Sequence, residues 1–161
     1  MKLKKLILIL LIILVLVIVL NNIIDLIVFS SDEAVIEFKP VLGYSTEVEL
    51  RYIHSVAKTP VFEYFSIKKD DFLLNKTVFE SLGAGLPLDG GVFKQENGKF
   101  VREGQNMQLE KLLIRVSRTK GQEIVIADEI FDLQDLLKPG ERLIIDVFSP
   151  INYIRYRFKN K

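Results

Sequence analysis

The stretch TEVELRYIHSVAKTPVFEYFSIKK, from Thr46 to Lys69, alternates apolar and polar side chains in the manner typical of β-strands. In its first half, one face carries Val48, Leu50, Tyr52 and His54. A short loop containing a proline then leads into a second alternating run. The stretch therefore predicts two strands joined by a loop, as in an antiparallel sheet.

Turn signals divide the rest of the chain into short segments. Asn97-Gly98 lies between alternating runs, as a two-residue type I′ hairpin requires, and this register places Glu96 opposite Lys99. Asp132 is placed to cap a single helical turn in DLQDLL. The KPGE segment at 138–141 has the proline-glycine order of a type II turn.

From Ala34 onward, these patterns predict about seven to nine short strands and little helix. The first of them is expected to end at Pro40, and the segment YIRYRF at 153–158 is expected to be a closing strand. In that strand the alternating basic ladder would be Arg155, Arg157, Lys159 and Lys161. The predicted fold class is all-β, a single antiparallel β-sandwich or partly open barrel after an N-terminal transmembrane helix.

The chain opens with MKLKKLILILLIILVLVIVL, three lysines followed by unbroken leucine, isoleucine and valine. Extended to Ile24, the apolar stretch of ~19 residues reaches ~28 Å, about the thickness of a hydrocarbon core. Lysines on one side predict a cytoplasmic N-terminus. No A-x-A-like pattern follows closely, which favours an uncleaved signal anchor over a cleaved signal peptide. We expect residues 1–29 to form the anchor and a short linker, and residues 30–161 an extracytoplasmic β-domain of a cell-membrane protein.

Composition excludes several classes of protein. The chain has 161 residues and a net charge of +1, but residues 26–161 alone have 19 basic and 20 acidic side chains and a net charge of −1. Nucleic-acid binding normally requires a strong basic excess, so no nucleic-acid partner is expected. The absence of cysteine excludes disulfides, cysteine nucleophiles and thiolate metal sites.

His54, the only histidine, is followed directly by Ser55, and Glu63 comes nine residues after the histidine. A Ser/His/carboxylate hydrolase would need the serine held against the histidine, but neighbours on a strand point to opposite faces. Glu63 would share the histidine's face after a four-residue loop and the other face after a five-residue loop. We therefore expect no catalytic residue, and predict that His54, Ser55 and Glu63 line a ligand site.

The loop SLGAGLP at 81–87 has the glycine spacing of a nucleotide-binding loop without its third glycine or its lysine. Two interpretations stay open: Gly83 and Gly85 permit a tight turn, or the backbone amides of Gly83, Ala84 and Gly85 form an anion-binding nest. We include these three residues in the predicted ligand site. With one histidine and no cysteine, no metal site and no cofactor are expected.

The segments YIHSVAKTPVFEYFSI and TVFESLGAGLP together resemble a bacterial family described as a domain of unknown function, number eighteen-fifty. The resemblance covers about Ala34 to Val147. It rests on the histidine-serine-valine segment at 54–56, Pro60, Glu63 and the loop at 83–87. It implies a small exported or anchored protein, often encoded beside TRAP-type transporters of the TAXI subgroup, which move small organic solutes. It also implies that His54, Glu63 and the glycine loop belong to one site.

The leading hypothesis is a membrane-anchored extracytoplasmic β-domain that serves as an accessory binding protein of a TRAP/TAXI-type solute transporter. Its expected partners are the membrane, and transporter subunits or a small anionic solute. The alternatives are a cell-envelope hydrolase using His54 and a purely structural envelope protein. No enzymatic activity is expected under the leading hypothesis.

Overall fold

The computed structural model describes residues 2–42, 46–81 and 90–159, and within them it contains three helices and eleven strands. The helices are α1 (Lys2–Ile23), α2 (Leu133–Leu136) and α3 (Pro150–Lys159). The strands are β1 (Ile24–Ser30), β2 (Val35–Leu42), β3 (Glu47–Ile53), β4 (Pro60–Lys68), β5 (Asp71–Phe79), β6 (Val92–Glu96), β7 (Lys99–Leu109), β8 (Lys111–Arg115), β9 (Glu123–Ile126), β10 (Glu129–Asp132) and β11 (Arg142–Phe148).

The strands form two antiparallel sheets, as the sequence predicts. The small sheet has the order β2-β1-β11-β8, and the large sheet has the order β10-β9-β3-β4-β5-β7-β6. One cluster of buried side chains joins them: Ile27, Phe29 and Ile145 of the small sheet pack with residues of the large sheet such as Phe65 and Ile124. The all-β sandwich after an N-terminal apolar helix is therefore confirmed.

Strand β1 lies where the sequence led us to expect the end of the anchor and a linker. Helix α1 ends at Ile23 and β1 begins at the next residue. Ile27, Val28 and Phe29 are at most 1% exposed, and β1 pairs with β2 on one side and β11 on the other. The sequence pattern could not separate this strand from the apolar run, because a strand buried on both faces is apolar at every position.

The C-terminal segment is a helix and not the closing strand that its alternation suggested. Pro150 occupies the first helical turn, where its missing N–H costs no hydrogen bond. The aromatic rings of Tyr153 and Tyr156 pack against Phe148 at centroid distances of 6.0 and 4.9 Å. This packing selects the helix, which places positions three residues apart on one face.

Two smaller expectations about strands are also corrected. The strand that was expected to end at Pro40 continues to Leu42. It can include a proline because β2 is at the edge of the small sheet. On the outer side of an edge strand, the missing N–H of a proline removes no hydrogen bond to a neighbouring strand. Glu63 pairs with Leu50, because the β3–β4 loop is six residues long and not four or five.

The turn predictions are confirmed. Asn97 and Gly98 both have positive φ, at 50° and 78°, and Glu96 pairs with Lys99. Asp132 caps α2, with its carboxylate accepting a hydrogen bond from the amide of Gln134 at 2.8 Å. These turns are set by local chemistry, and for this reason the sequence reveals them.

Candidate functional site

His54 organises the loop between β3 and β4. Its side chain is buried, and Nδ1 accepts hydrogen bonds from the backbone amides of Val56 at 3.3 Å and Ala57 at 3.0 Å. The His54 backbone closes the same loop through its amide to Thr59 and its carbonyl to Lys58, both at 2.9 Å. Because Nδ1 acts as an acceptor, the neutral ring carries its hydrogen on Nε2.

Ser55 is exposed while His54 is buried, so the two neighbouring side chains point in different directions. A hydrolytic histidine needs one nitrogen for the serine and the other for a carboxylate. At His54, Nδ1 is taken by two loop amides, where a hydrolase would need the orienting carboxylate. The geometry therefore supplies no observation that favours the hydrolase hypothesis.

Glu63 lies on the interior face of the large sheet, and its partner is Tyr52. The Tyr52 hydroxyl donates a hydrogen bond to Glu63 Oε1 at 3.0 Å. Burial raises the pKa of Glu63, and the hydrogen bond from Tyr52 acts in the opposite direction. Burial also raises the pKa of Tyr52, with a further contribution from the charge of Glu63. A glutamate held in this way favours its protonated form more than an exposed glutamate does.

Glu63 belongs to a row of polar side chains across the interior face of the large sheet, which we call the interior polar row. Glu63 pairs with Thr77, and Thr77 pairs with Arg102. Thr77 is 1% exposed, and its hydroxyl donates a hydrogen bond to Gln105 Oε1 at 2.8 Å. Buried polar groups cost stability unless they are hydrogen-bonded, and Glu63, Thr77 and Arg102 each make such a bond.

The predicted anion nest, Gly83, Ala84 and Gly85, lies outside the described residues. The described chain resumes at Gly90, whose carbonyl accepts a hydrogen bond from the Arg102 guanidinium at 2.8 Å. The same guanidinium lies 5.7 Å from the ring centroid of Phe93. The residues that follow the glycine loop are thus attached to the interior polar row.

An open cleft of about 670 Å³, which we call the terminal cleft, lies beside the His54 loop. One wall is formed by residues 52–55 and the other by residues 115–118, with Gln122 and Gly140 between them. The cleft is at the end of the domain opposite α1. Strand β1 leaves α1 at Ile24 and ends at Ser30, which pairs with Ile144, and the Arg115–Arg142 pair lies beyond it.

The wall formed by residues 115–118, which we call the arginine wall, is held in place by hydrogen bonds. Gln122 accepts from the amide of Ser117 at 2.6 Å and donates to the carbonyl of Arg115 at 3.3 Å. Gln134 donates to the carbonyl of Ser117 at 2.9 Å. The Arg115 guanidinium donates to the carbonyl of Gly140 at 2.7 Å. A wall fixed in this way loses little conformational entropy when a ligand binds.

The charge of the terminal cleft is positive. Among the residues that the structure describes, its lining includes two arginines, Arg115 and Arg118, and no aspartate or glutamate. The lining also includes Ser55, Ser117 and Tyr52, of which Ser55 is exposed. Arginine binds carboxylates through paired N–H groups, so this lining suits a small carboxylate.

The structure brings the predicted site residues into two adjoining regions and not into one. His54 and Ser55 line the terminal cleft, whereas Glu63 lies in the interior polar row. Tyr52 connects the two, because it lines the cleft and donates to Glu63. Sequence reasoning missed Arg115, Arg118 and Gln122, because nothing in the sequence signals that residues 115–122 fold back beside His54. Among the described residues, no group of three or more histidine or acidic side chains could hold a metal ion.

Comparison with known protein families finds a match. A family described as "Domain of unknown function (DUF1850)" matches residues 48–133. The match covers more than half of the chain, so the protein belongs to this family. The matched segment runs from the second residue of β3 through β10 to the first residue of α2, and it includes His54, Glu63 and the arginine wall. Elements α1, β1, β2, β11 and α3 lie outside it. Searches of curated proteins and of solved structures found no match.

Proposed function

We propose that this protein is a membrane-anchored extracytoplasmic binding domain that assists a TRAP/TAXI-type solute transporter by holding a small carboxylate in the terminal cleft. The observation that carries the proposal is the cleft lining, which in the described part of the chain contains Arg115 and Arg118 and no acidic residue. On the opposite wall, the exposed Ser55 adds a neutral hydroxyl, and the buried His54 holds the loop that carries it. The transporter context comes from the family resemblance, and the cleft chemistry agrees with it because carboxylates are common substrates of those systems.

The anchor part of the proposal is supported by the junction between α1 and β1. Within the described residues, α1 contains one segment, Leu3–Ile23, that is long and apolar enough to cross a membrane. A signal sequence would pass the same test, but cleavage after Ile24 would remove residues of a buried strand. Retention of α1 keeps β1 intact, and the lysines before α1 favour a cytoplasmic N-terminus.

The test is calorimetric titration of acetate, succinate and 2-oxoglutarate into the full chain held in neutral-lipid nanodiscs. At least one of these carboxylates should bind. A charge-assisted hydrogen bond contributes ~1.5–3 kcal/mol, so Arg118→Gln should weaken that binding about ten- to a hundredfold. Arg118 is the better target because Arg115 also borders a second depression lined by Asp32, Glu33 and Glu141.

Two variants make the test specific. Lys120→Gln removes an exposed charge two residues along that does not line the cleft, and it should bind as the wild type does. Ser55→Ala removes the exposed hydroxyl of the opposite wall and leaves the His54 contacts to the loop amides in place, so it should weaken binding without opening the loop. If none of the three carboxylates binds, or if the Arg118 and Lys120 variants lose affinity equally, the terminal cleft is not a carboxylate site.

A further inference from the structure

The face of the small sheet that points away from the core carries an exposed apolar surface. Its members are Ile36, Phe38, Leu42, Ile151, Ile154 and Phe158, with exposed fractions from 36% to 77%. We call this set the outer apolar surface. Three of its residues alternate along β2 and three lie on α3, which packs against β1 and β11. Exposed apolar areas of this kind mark contacts with another molecule or with a membrane.

Helix α3 has one face that packs against the small sheet and an opposite face that is exposed. Tyr153 and Tyr156 turn inward and pack on Phe148, and Tyr153 also contacts the ring of Phe38 at a centroid distance of 6.5 Å. Ile151, Ile154 and Phe158, spaced at i, i+3 and i+7, form a stripe on the opposite side. The apolar stripe therefore faces away from the protein.

Basic side chains flank this stripe on both sides. On a helix with 3.6 residues per turn, Arg155 and Lys159 lie to one side of the stripe and Arg157 lies to the other. All three are exposed, and α3 contains no acidic residue. An apolar stripe between basic side chains is the pattern of a helix that lies in the membrane interface, where the basic groups reach the headgroup phosphates.

The outer apolar surface begins where α1 ends. The side-chain oxygen of Asn21, in the last turn of α1, accepts a hydrogen bond from the amide of Ile151 at 2.9 Å. Leu42 pairs with Ile24, the first residue after α1. From Ile151 to Phe158, α3 is ~10 Å long. It starts beside the end of α1 and leads toward residues 30–35, where Tyr156 and Arg157 line a depression together with Asp32 and Glu33.

We propose that the outer apolar surface rests on the bilayer that α1 enters, and that Arg155, Arg157 and Lys159 bind anionic phospholipid headgroups. This inference rests on the proposed anchoring by α1. The bilayer is favoured over a second copy of the chain because the surface is continuous with the membrane helix and is flanked by cations, which would repel their equivalents across a two-fold interface.

The test uses two matched cysteine variants, Phe158→Cys and Val56→Cys, which are the only cysteines in their chains. Phe158 is 77% exposed and Val56 is 71% exposed, but Val56 belongs to the His54 loop at the end of the domain opposite α1. Each full-length variant is labelled with the same environment-sensitive fluorophore. It is then placed at one copy per nanodisc made of equal parts phosphatidylcholine and phosphatidylglycerol, with nitroxide-bearing lipid as the quencher.

Nitroxide lipid should quench the label at position 158 severalfold more than the label at position 56. Equal quenching of the labels at positions 158 and 56 would overturn the proposal. So would an apolar environment of the label at position 158 that appears only when two copies share a disc. Replacing Arg155, Arg157 and Lys159 together by glutamine should reduce the quenching at position 158 in phosphatidylglycerol discs to its value in pure phosphatidylcholine. No difference between the two lipid compositions in the wild type would overturn the assignment to anionic headgroups.

Anchoring is tested separately on the same labelled variants reconstituted into lipid vesicles. The chain should stay with vesicles during flotation after alkaline extraction, as a spanning protein does. A chain that floats but shows equal quenching at both positions contradicts the bilayer contact alone. A chain that leaves the vesicles contradicts the anchor and with it the proposed function.

Discussion

The Tyr52 hydroxyl hydrogen-bonds to Glu63 across the β3–β4 pair, 3.0 Å from Oε1, and it does so diagonally because Glu63 pairs with Leu50. This contact joins the terminal cleft, which Tyr52 lines, to the interior polar row, which begins at Glu63. A ligand in the cleft that displaces the tyrosine ring would therefore disturb a buried carboxylate. Tyr52 is thus the residue at which the two adjoining regions meet.

Replacing Glu63 by glutamine should change how stability depends on pH. Burial raises the pKa of Glu63 above its ordinary value of 4.5, so the folded state holds the proton more tightly than the unfolded state does. The free energy of unfolding should thus fall as the pH rises from 4.5 through the raised pKa, and should stay at the lower level above it. Glu63→Gln removes this dependence and can still accept from Tyr52.

Urea unfolding of the full chain in detergent at a series of pH values measures this effect, with the exposed Glu110→Gln as the control. Glu63→Gln should gain stability relative to wild type as the pH rises. A variant that is less stable than wild type by the same margin at every pH would contradict the argument.

His54→Ala should destabilise the domain, and His54→Asn should restore part of the loss. The alanine leaves the amides of Val56 and Ala57 without their acceptor, at a cost of ~1–3 kcal/mol. Asparagine places an oxygen near the position of Nδ1. The midpoint of thermal unfolding reports the difference. Equal stability of the alanine variant and wild type would show that the histidine does not organise the loop.

A chain that begins at Ser31 should not fold, whereas a chain that begins at Asn22 should. The shorter chain lacks β1, including Ile27, Val28 and Phe29, each at most 1% exposed. Burying a side chain of this size contributes ~1.5–3 kcal/mol, and a domain's total stability is only ~5–15 kcal/mol. Circular dichroism and amide-proton dispersion in NMR spectra distinguish the outcomes. A folded Ser31 chain would mean that β1 is dispensable.

Gly91→Ala should destabilise the domain more than Gly104→Ala. Both glycines have positive φ, at 72° and 70°, so alanine is strained at each by roughly 1–2 kcal/mol. A Cβ at Gly91 would also lie 2.4 Å from the carbonyl oxygen of Glu103, while a Cβ at Gly104 meets no atom within 4 Å. The clash should add roughly 1–3 kcal/mol, measured by chemical unfolding. Equal losses would mean that β6 can move away from β7.

The Asn97-Gly98 hairpin, the Asp132 cap and the alternation of β3 and β4 were predictable because each depends on residues close together in the sequence. Strand β1 and helix α3 were not. Ile24–Ser30 continues an apolar run, and only its pairing with β2 and β11 makes it a strand. Residues 150–159 fit both periods, and only packing on Phe148 selects the helix.

The candidate site likewise has some residues that the sequence indicated and others that only the tertiary structure brings to it. The sequence alone indicated His54, Ser55 and Glu63, since a lone histidine beside a serine and a nearby carboxylate are visible as residue types. It could not show that Nδ1 of His54 is used by its own loop, or that Glu63 pairs with Leu50, because loop length and sheet register decide both. Arg115 and Arg118 are some sixty residues away along the chain, and only the closure of the two sheets on each other places them beside His54. Alternation and turn chemistry act over a few residues and determined the β class, whereas the cleft and the outer apolar surface come from contacts between distant segments.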